Sequence, residues 1–218
     1  MNREWSEKNK DMQGLLKKAT FSEGIALLLA LREELMSEIL SWRKELRDDA
    51  FSAIPFINAK GYHSKTIAYS LWHIFRIEDI VVNSLIQDRE QVLFSGGFDK
   101  KTKSPIITTG NELIKEQIAD FSRQLDISAL YEYIAAVKES TDGWLKEIGY
   151  SDLKRRFSEE DKERLLTLSA VSKDENALWL IDYWCGKDVK GLILMPLSRH
   201  WIMHIEAALR IKEKIAKA

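Results

Sequence analysis

Apolar residues recur along residues 21–46 at alternating four- and three-residue steps: Phe21, Ile25, Leu28, Leu35, Ile39, Trp42 and Leu46. That is the spacing of one helix face. It predicts a long helix beginning near Ser22, with Arg32 interrupting the stripe. Residues 48–61, which include Pro55 and Gly61, read as a connection. Ser64 offers an N-cap for a second helix running to about residue 89. Its stripe is Ile67, Leu71, Ile74, Val81 and Leu85, widened by Trp72, Phe75, Ile77, Ile80, Val82 and Ile86. A helix this apolar around its girth is buried on several sides. Covering it with a second subunit would make the protein a homodimer, and that is the expectation.

Farther on, helical patterning spans residues 111–124 and 128–148, and Ser158-Glu159-Glu160-Asp161 has the form of an acidic helix start. Residues 176–184 form another candidate with Gly186 as its stop. The last helix covers about residues 188–216, where Pro196 marks either a kink or the true first turn. Residues 1–20 are polar and read as an irregular or loosely docked arm, and residues 95–110 as a loop insertion. With only 10 Gly and 3 Pro in 218 residues, turn signals are too few for a strand-rich fold. The expectation is one all-α domain over residues 1–218, a four-helix bundle with long connections and short extra helices.

Composition narrows the function classes. Lys and Arg total 33 against 34 Asp and Glu, a net charge of -1, which leaves no electrostatic footprint for nucleic acid or an anionic membrane. The longest apolar stretch, residues 24–31, is too short to span a bilayer. The charged first residues lack the apolar core of a secretory leader. One cysteine, Cys185, leaves no internal disulfide and fits a reducing compartment, so a cytoplasmic location is expected.

Of the four histidines, His63 falls in a loop. His200 and His204 continue the stripe of Ile193, Leu197, Ile211 and Ile215, and His73 stands in line with Tyr69, Ile77 and Ile80. All three imidazoles therefore point inward, where each needs a partner. A core histidine bonded to a carbonyl or carboxylate satisfies that need. So does a shared metal: two histidines four apart present their nitrogens on one helix face, and a third from a facing helix completes a triad. Neutral imidazole suits Zn, Ni, Fe or Cu, and three protein ligands leave one position open.

The stretch Ser70-Leu71-Trp72-His73-Ile74-Phe75-Arg76-Ile77-Glu78, with the late His200-Trp201-Ile202-Met203-His204, resembles the DinB/YfiT-like family of metal-dependent helical-bundle proteins. The resemblance implies a four-helix bundle, frequently dimeric, with one divalent transition metal on His73, His200 and His204, zinc or nickel foremost and iron next. Some members are thiol S-transferases or thiol-dependent isomerases. That implies a small-molecule substrate and a low-molecular-weight thiol as partner, with a metal-activated thiolate attacking a small electrophile. A metal-dependent hydrolase and a non-catalytic metal-binding stress-response bundle are the alternatives. Glu78 matches a recurrent family position and is a candidate for fixing an imidazole's tautomer. Tyr69, Trp72 and Trp201 adjoin the candidate ligands and are candidates for lining a pocket. The chain departs from the family where the late motif continues Ile205-Glu206-Ala207 in place of Arg-Gly-Gln, and in its N-terminal arm and 95–110 segment.

Overall fold

In the computed structural model, which describes residues 2–217, the chain is all-helical; the one β pairing among those residues is an isolated bridge between Arg156 and Asp188. Helix α1 (Arg3–Leu15) leads into α2 (Phe21–Glu45), then α3 (Ile67–Asp79), which continues as a π-helical segment (Ile80–Ile86). Two single turns follow, α4 (Val92–Ser95) and α5 (Phe98–Lys101), then α6 (Glu116–Gln124) and α7 (Ile127–Glu147). The chain closes with α8 (Glu159–Thr167), α9 (Glu175–Cys185), α10 (Val189–Leu194), a second π segment (Met195–Arg199) and α11 (His200–Ile215). The bundle is built on α2, α3, α7 and the continuous α10–α11 rod.

Two apolar clusters fill it. One joins the second half of α2, the first half of α3, α6, α7 and α11, centred on Trp42, Trp72, Phe75 and Trp201. The other joins α1, the start of α2, the first π segment and helices α8 to α10, centred on Val81, Leu85, Trp184 and Ile193. Where they meet, Arg32, Glu78, His200 and Ser198 are buried in a polar layer. The interruption that Arg32 makes in the α2 stripe is the place where that helix crosses this layer.

Several boundaries differ from the sequence expectation, each for a local reason. The N-terminal arm is a docked helix: Trp5 and Met12 are buried, and the Asn2 side chain caps the backbone N–H groups of Glu4 and Trp5. A Cβ on Gly24 would lie 3.1 Å from the Leu15 backbone, so the α1–α2 corner packs at glycine distance. Helix α3 is capped by Thr66, whose hydroxyl accepts from the Tyr69 N–H at 3.0 Å, while the Ser64 hydroxyl donates to Gly61 O. The segment read as a loop insertion contains α5, and helix α6 starts only at Glu116. Pro196 sits inside the second π segment; the His200 N–H reaches back to Met195 O, and the Ser198 hydroxyl donates to Ile193 O at 2.9 Å. Proline cannot donate to the ladder, and around it the helix shifts to i−5 pairing.

Every residue from 67 to 86 is buried by the chain's own elements. The girth that pointed to a second subunit is covered from within. Among the described residues, no helix is long and apolar enough to cross a membrane.

Candidate metal centre

Helices α3 and α11 pack side by side in the bundle and bring His73, His200 and His204 together. Their ring centroids lie 5.1 Å (His73–His200), 4.7 Å (His73–His204) and 4.6 Å (His200–His204) apart. All three are buried, and one ligand nitrogen from each lies within 4.8 Å of the other two. Bonds of about 2.1 Å to a tetrahedral ion place nitrogens roughly 3.4 Å apart, so side-chain adjustments of about an ångström close the site. These three buried histidines can hold a metal ion.

The protonation states fit that role. Burial pushes the His73 imidazole down to about 4, opposed by its bond to Thr109 and reinforced by the charge of Lys65. Burial also holds His200 and His204 well below the ordinary histidine range, with their neighbouring imidazoles adding to the effect. All three are neutral at pH 7, the ligand form of imidazole. His73 Nδ1 donates to the Thr109 carbonyl at 2.9 Å. That bond fixes the tautomer and leaves the Nε2 lone pair for a ligand. His200 Nδ1 is buried without a hydrogen-bond partner, an arrangement that costs on the order of 1–3 kcal/mol unless something ligates the ring.

The carbonyl holding His73 belongs to a longer device. Residues 107–110 run along α3 as a strap whose successive carbonyls accept from four α3 side chains. Arg76 Nη2 donates to Ile107 O at 2.6 Å, Trp72 Nε1 to Thr108 O at 2.9 Å, and Tyr69 OH to Gly110 O at 3.0 Å, with His73 between them on Thr109. Gly110 has φ +80°, and a Cβ there would stand 3.0 Å from the Tyr69 ring. Only glycine brings the strap this close.

A cavity of about 530 Å³ opens on the three imidazoles. Trp179, Leu180, Tyr183 and Trp184 of α9 form one wall, Met195 and Pro196 of the second π segment another, with Tyr69, Ile77, Lys65 and Asn111 completing it. Trp179 is 50% exposed at the mouth.

The other sequence candidates fall in different places. Tyr69 lines the cavity and stacks on His73 (centroids 5.6 Å apart), but its hydroxyl proton is engaged by Gly110 and burial raises its pKa. Trp72 packs on Phe121 and Tyr133 in the core. Trp201 packs on Phe75 beneath the Arg32 guanidinium. Neither lines the cavity. Glu78 makes its hydrogen bonds to Arg32 (2.7 and 3.0 Å) and to Trp201 Nε1 (2.8 Å), not to an imidazole. His63 accepts from Arg210 at the surface.

Sequence reasoning missed the α9 wall, Lys65, Asn111 and the strap. A signal for the strap was present: Tyr69, Trp72, His73 and Arg76 form one inward face, and each carries a donor that needs an acceptor. No family model matches the chain, and no match to a curated protein was found.

Proposed function

We propose that the protein is a metal-dependent enzyme that holds one divalent transition metal on His73, His200 and His204 and acts on a small molecule in the adjoining cavity. Zinc or nickel is the foremost choice of metal, with iron next. One observation carries this reading: three neutral imidazoles converge where a mostly apolar, aromatic cavity reaches the bundle interior. Apolar walls with a few convergent polar groups are the usual form of a small-molecule site. A bound ion of this kind supplies Lewis acidity, lowering the pKa of a thiol or a water molecule.

The chain's own groups do the rest. Thr109 O holds the His73 ring in one tautomer and orientation. Trp179, Tyr183 and Trp184 shield the interior from bulk water. The resemblance to the DinB/YfiT-like family favours thiol S-transfer, in which a low-molecular-weight thiol attacks a small electrophile. The attacking thiol comes from outside the chain, because Cys185 does not line the cavity and burial pushes its thiol up to about 11. Hydrolysis uses the same donor set with water in place of the thiol.

Elemental analysis of untagged protein after metal loading tests the first step. About one ion per chain is expected, lost on His204→Ala; a substoichiometric content unchanged by that substitution overturns the proposal. A thiol-conjugation assay on small electrophiles, run beside an esterase screen, then separates transferase from hydrolase. Metal binding with neither activity points to a non-catalytic metal-binding bundle.

A further inference from the structure

Among the described residues lining the cavity, Lys65 is the one charged side chain, and no carboxylate lines it. Lys65 makes no ion pair among the described residues; its Nζ lies 4.6 Å from the centre of the Tyr69 ring. Residues 65, 69 and 73 follow at four-residue steps, so ammonium, phenol and imidazole come in layers, with the Tyr69 and His73 rings 10° from parallel. A half-buried ammonium held only by an aromatic face has given up part of its hydration without gaining a counter-charge. Burial accordingly lowers the Lys65 pKa, with no acidic neighbour raising it.

Asn111 and Ser64 also line the cavity, and the Ser64 hydroxyl donates to Gly61 O. The Thr109 hydroxyl donates to Asn111 Oδ1 at 2.8 Å. That bond occupies the acceptor end of the carboxamide and leaves its nitrogen to donate. Lys65 Nζ and Asn111 Nδ2 together present donors and one positive charge, which suits an acceptor bearing one negative charge. A dianionic phosphate would remain half-compensated here, whereas a carboxylate matches a single ammonium. Apart from Ser64 and the three imidazoles, the rest of the cavity is lined by apolar and aromatic residues, and its 530 Å³ is far more than a carboxylate needs.

We infer that Lys65, assisted by Asn111, is the recognition end of this cavity, and that the small molecule it takes is an apolar body carrying one carboxylate. The α9 aromatics would hold the body, leaving its far end toward the histidines. That this ligand is the enzyme's substrate rests on the proposed function; that the cavity selects a carboxylate does not.

The test uses a matched pair of probes, 3-phenylpropanoate and its uncharged amide. Both are titrated against tryptophan fluorescence, since Trp179 and Trp184 line the cavity. Wild type, Lys65→Gln and Lys65→Arg are each measured with chelator and after zinc loading. The carboxylate is expected to bind wild type about tenfold more tightly than the amide, a usual scale for one charge-assisted contact, in both the metal-free and the zinc-loaded protein. Lys65→Gln should remove that preference while leaving amide binding unchanged, and Lys65→Arg should keep most of it.

Equal binding of the two probes by wild type overturns the inference, as does the absence of any quenching by the carboxylate at millimolar concentration. A preference that survives Lys65→Gln, or appears only with zinc, assigns the carboxylate to the ion and also overturns it. Should Lys65→Gln fail to fold, the wild-type pair and Lys65→Arg still decide. A Lys65-dependent preference in protein that never binds metal would leave this inference standing and the proposed function fallen. Metal-dependent turnover with no preference would do the reverse.

Discussion

Two buried polar clusters meet at neighbouring residues of α11, and they are built on opposite terms. Trp201 belongs to the first, where Arg32 Nε binds Asp142 (2.7 Å), its Nη atoms bind Glu78, and Nη1 also reaches Leu197 O (3.0 Å). The indole of Trp201 donates to Glu78 Oε2, which also accepts from Arg32 Nη1. Every strong donor in this cluster has an acceptor, and Arg32 and Glu78 have no exposed side-chain surface. His200 belongs to the second cluster, where Nδ1 lacks a partner and the rings border a cavity. Satisfied and closed, the first cluster pins α2, α3, α7 and the α10–α11 rod in register. Incomplete and open, the second has the form of a site awaiting a ligand.

The closed cluster is the costlier of the two to disrupt. Glu78→Ala strips Arg32 of two bonds and Trp201 of its acceptor, leaving buried charge poorly matched. A loss of about 3–5 kcal/mol is expected. Denaturant unfolding measures it, and a loss below about 1 kcal/mol would show that the network is not what holds the four helices together.

His200→Ala, one position from Trp201, should behave differently. In chelator it should cost no more than about 1–2 kcal/mol, the ordinary scale for one substitution. It also removes an unpartnered polar atom, which offsets part of that loss. Metal binding, by contrast, should disappear. The same denaturant series with elemental analysis checks both halves. If chelator alone unfolds wild type, the ion would be structural and the contrast between the clusters would collapse.

Gly110→Ala probes the boundary. The residue has φ +80° and its added methyl would press on Tyr69, so about 1–2 kcal/mol of stability should be lost. Because the strap carbonyls orient His73, metal affinity should fall about tenfold, the lower end of what lost support to a ligand usually costs. Competition against a chelating dye reads this; unchanged affinity would mean that Thr109 O does not set the His73 ring.

Cys185 gives the smallest effect and a control away from both clusters. Its thiol is pushed up to about 11 by burial and then by the nearby charge of Asp161. The thiolate is scarce below that value, so alkylation by iodoacetamide should be slow at pH 7.5 and rise about tenfold per pH unit toward pH 11. Rapid alkylation at neutral pH would contradict the burial seen for α9.

What the sequence disclosed follows from how far each signal reaches. The α2 and α7 spans were legible because their apolar spacing is sustained over several turns, and Ser158 with Asp161 announces α8 through a reciprocal cap. The three histidines were legible because each replaces an apolar residue on a stripe. Lys65 and Asn111 were not: the sequence pattern puts both in the first turns of helices, whereas each lies in the connection before one and gains meaning only from the fold around it. Arg32 was visible as an interruption, but its partners Glu78 and Asp142 lie 46 and 110 residues away. Glu78 was placed beside the histidines on its match to a family position and its place on the α3 stripe, and neither reveals that an arginine on another helix faces it.

Loops ordinarily absorb insertions and deletions because nothing downstream depends on their length. The strap at residues 107–110 lacks that freedom. Its four carbonyls meet four side chains of α3 one for one, so removing a single residue would shift every pairing at once, Thr109 O away from His73 among them. For chain length, this stretch behaves like a strand in a sheet, where a slip of one changes every partner. Drift in this protein should therefore hold the number of residues in this stretch fixed and keep glycine at 110, with identity freest at 107, whose carbonyl any amino acid supplies, since the Thr108 and Thr109 hydroxyls have partners of their own.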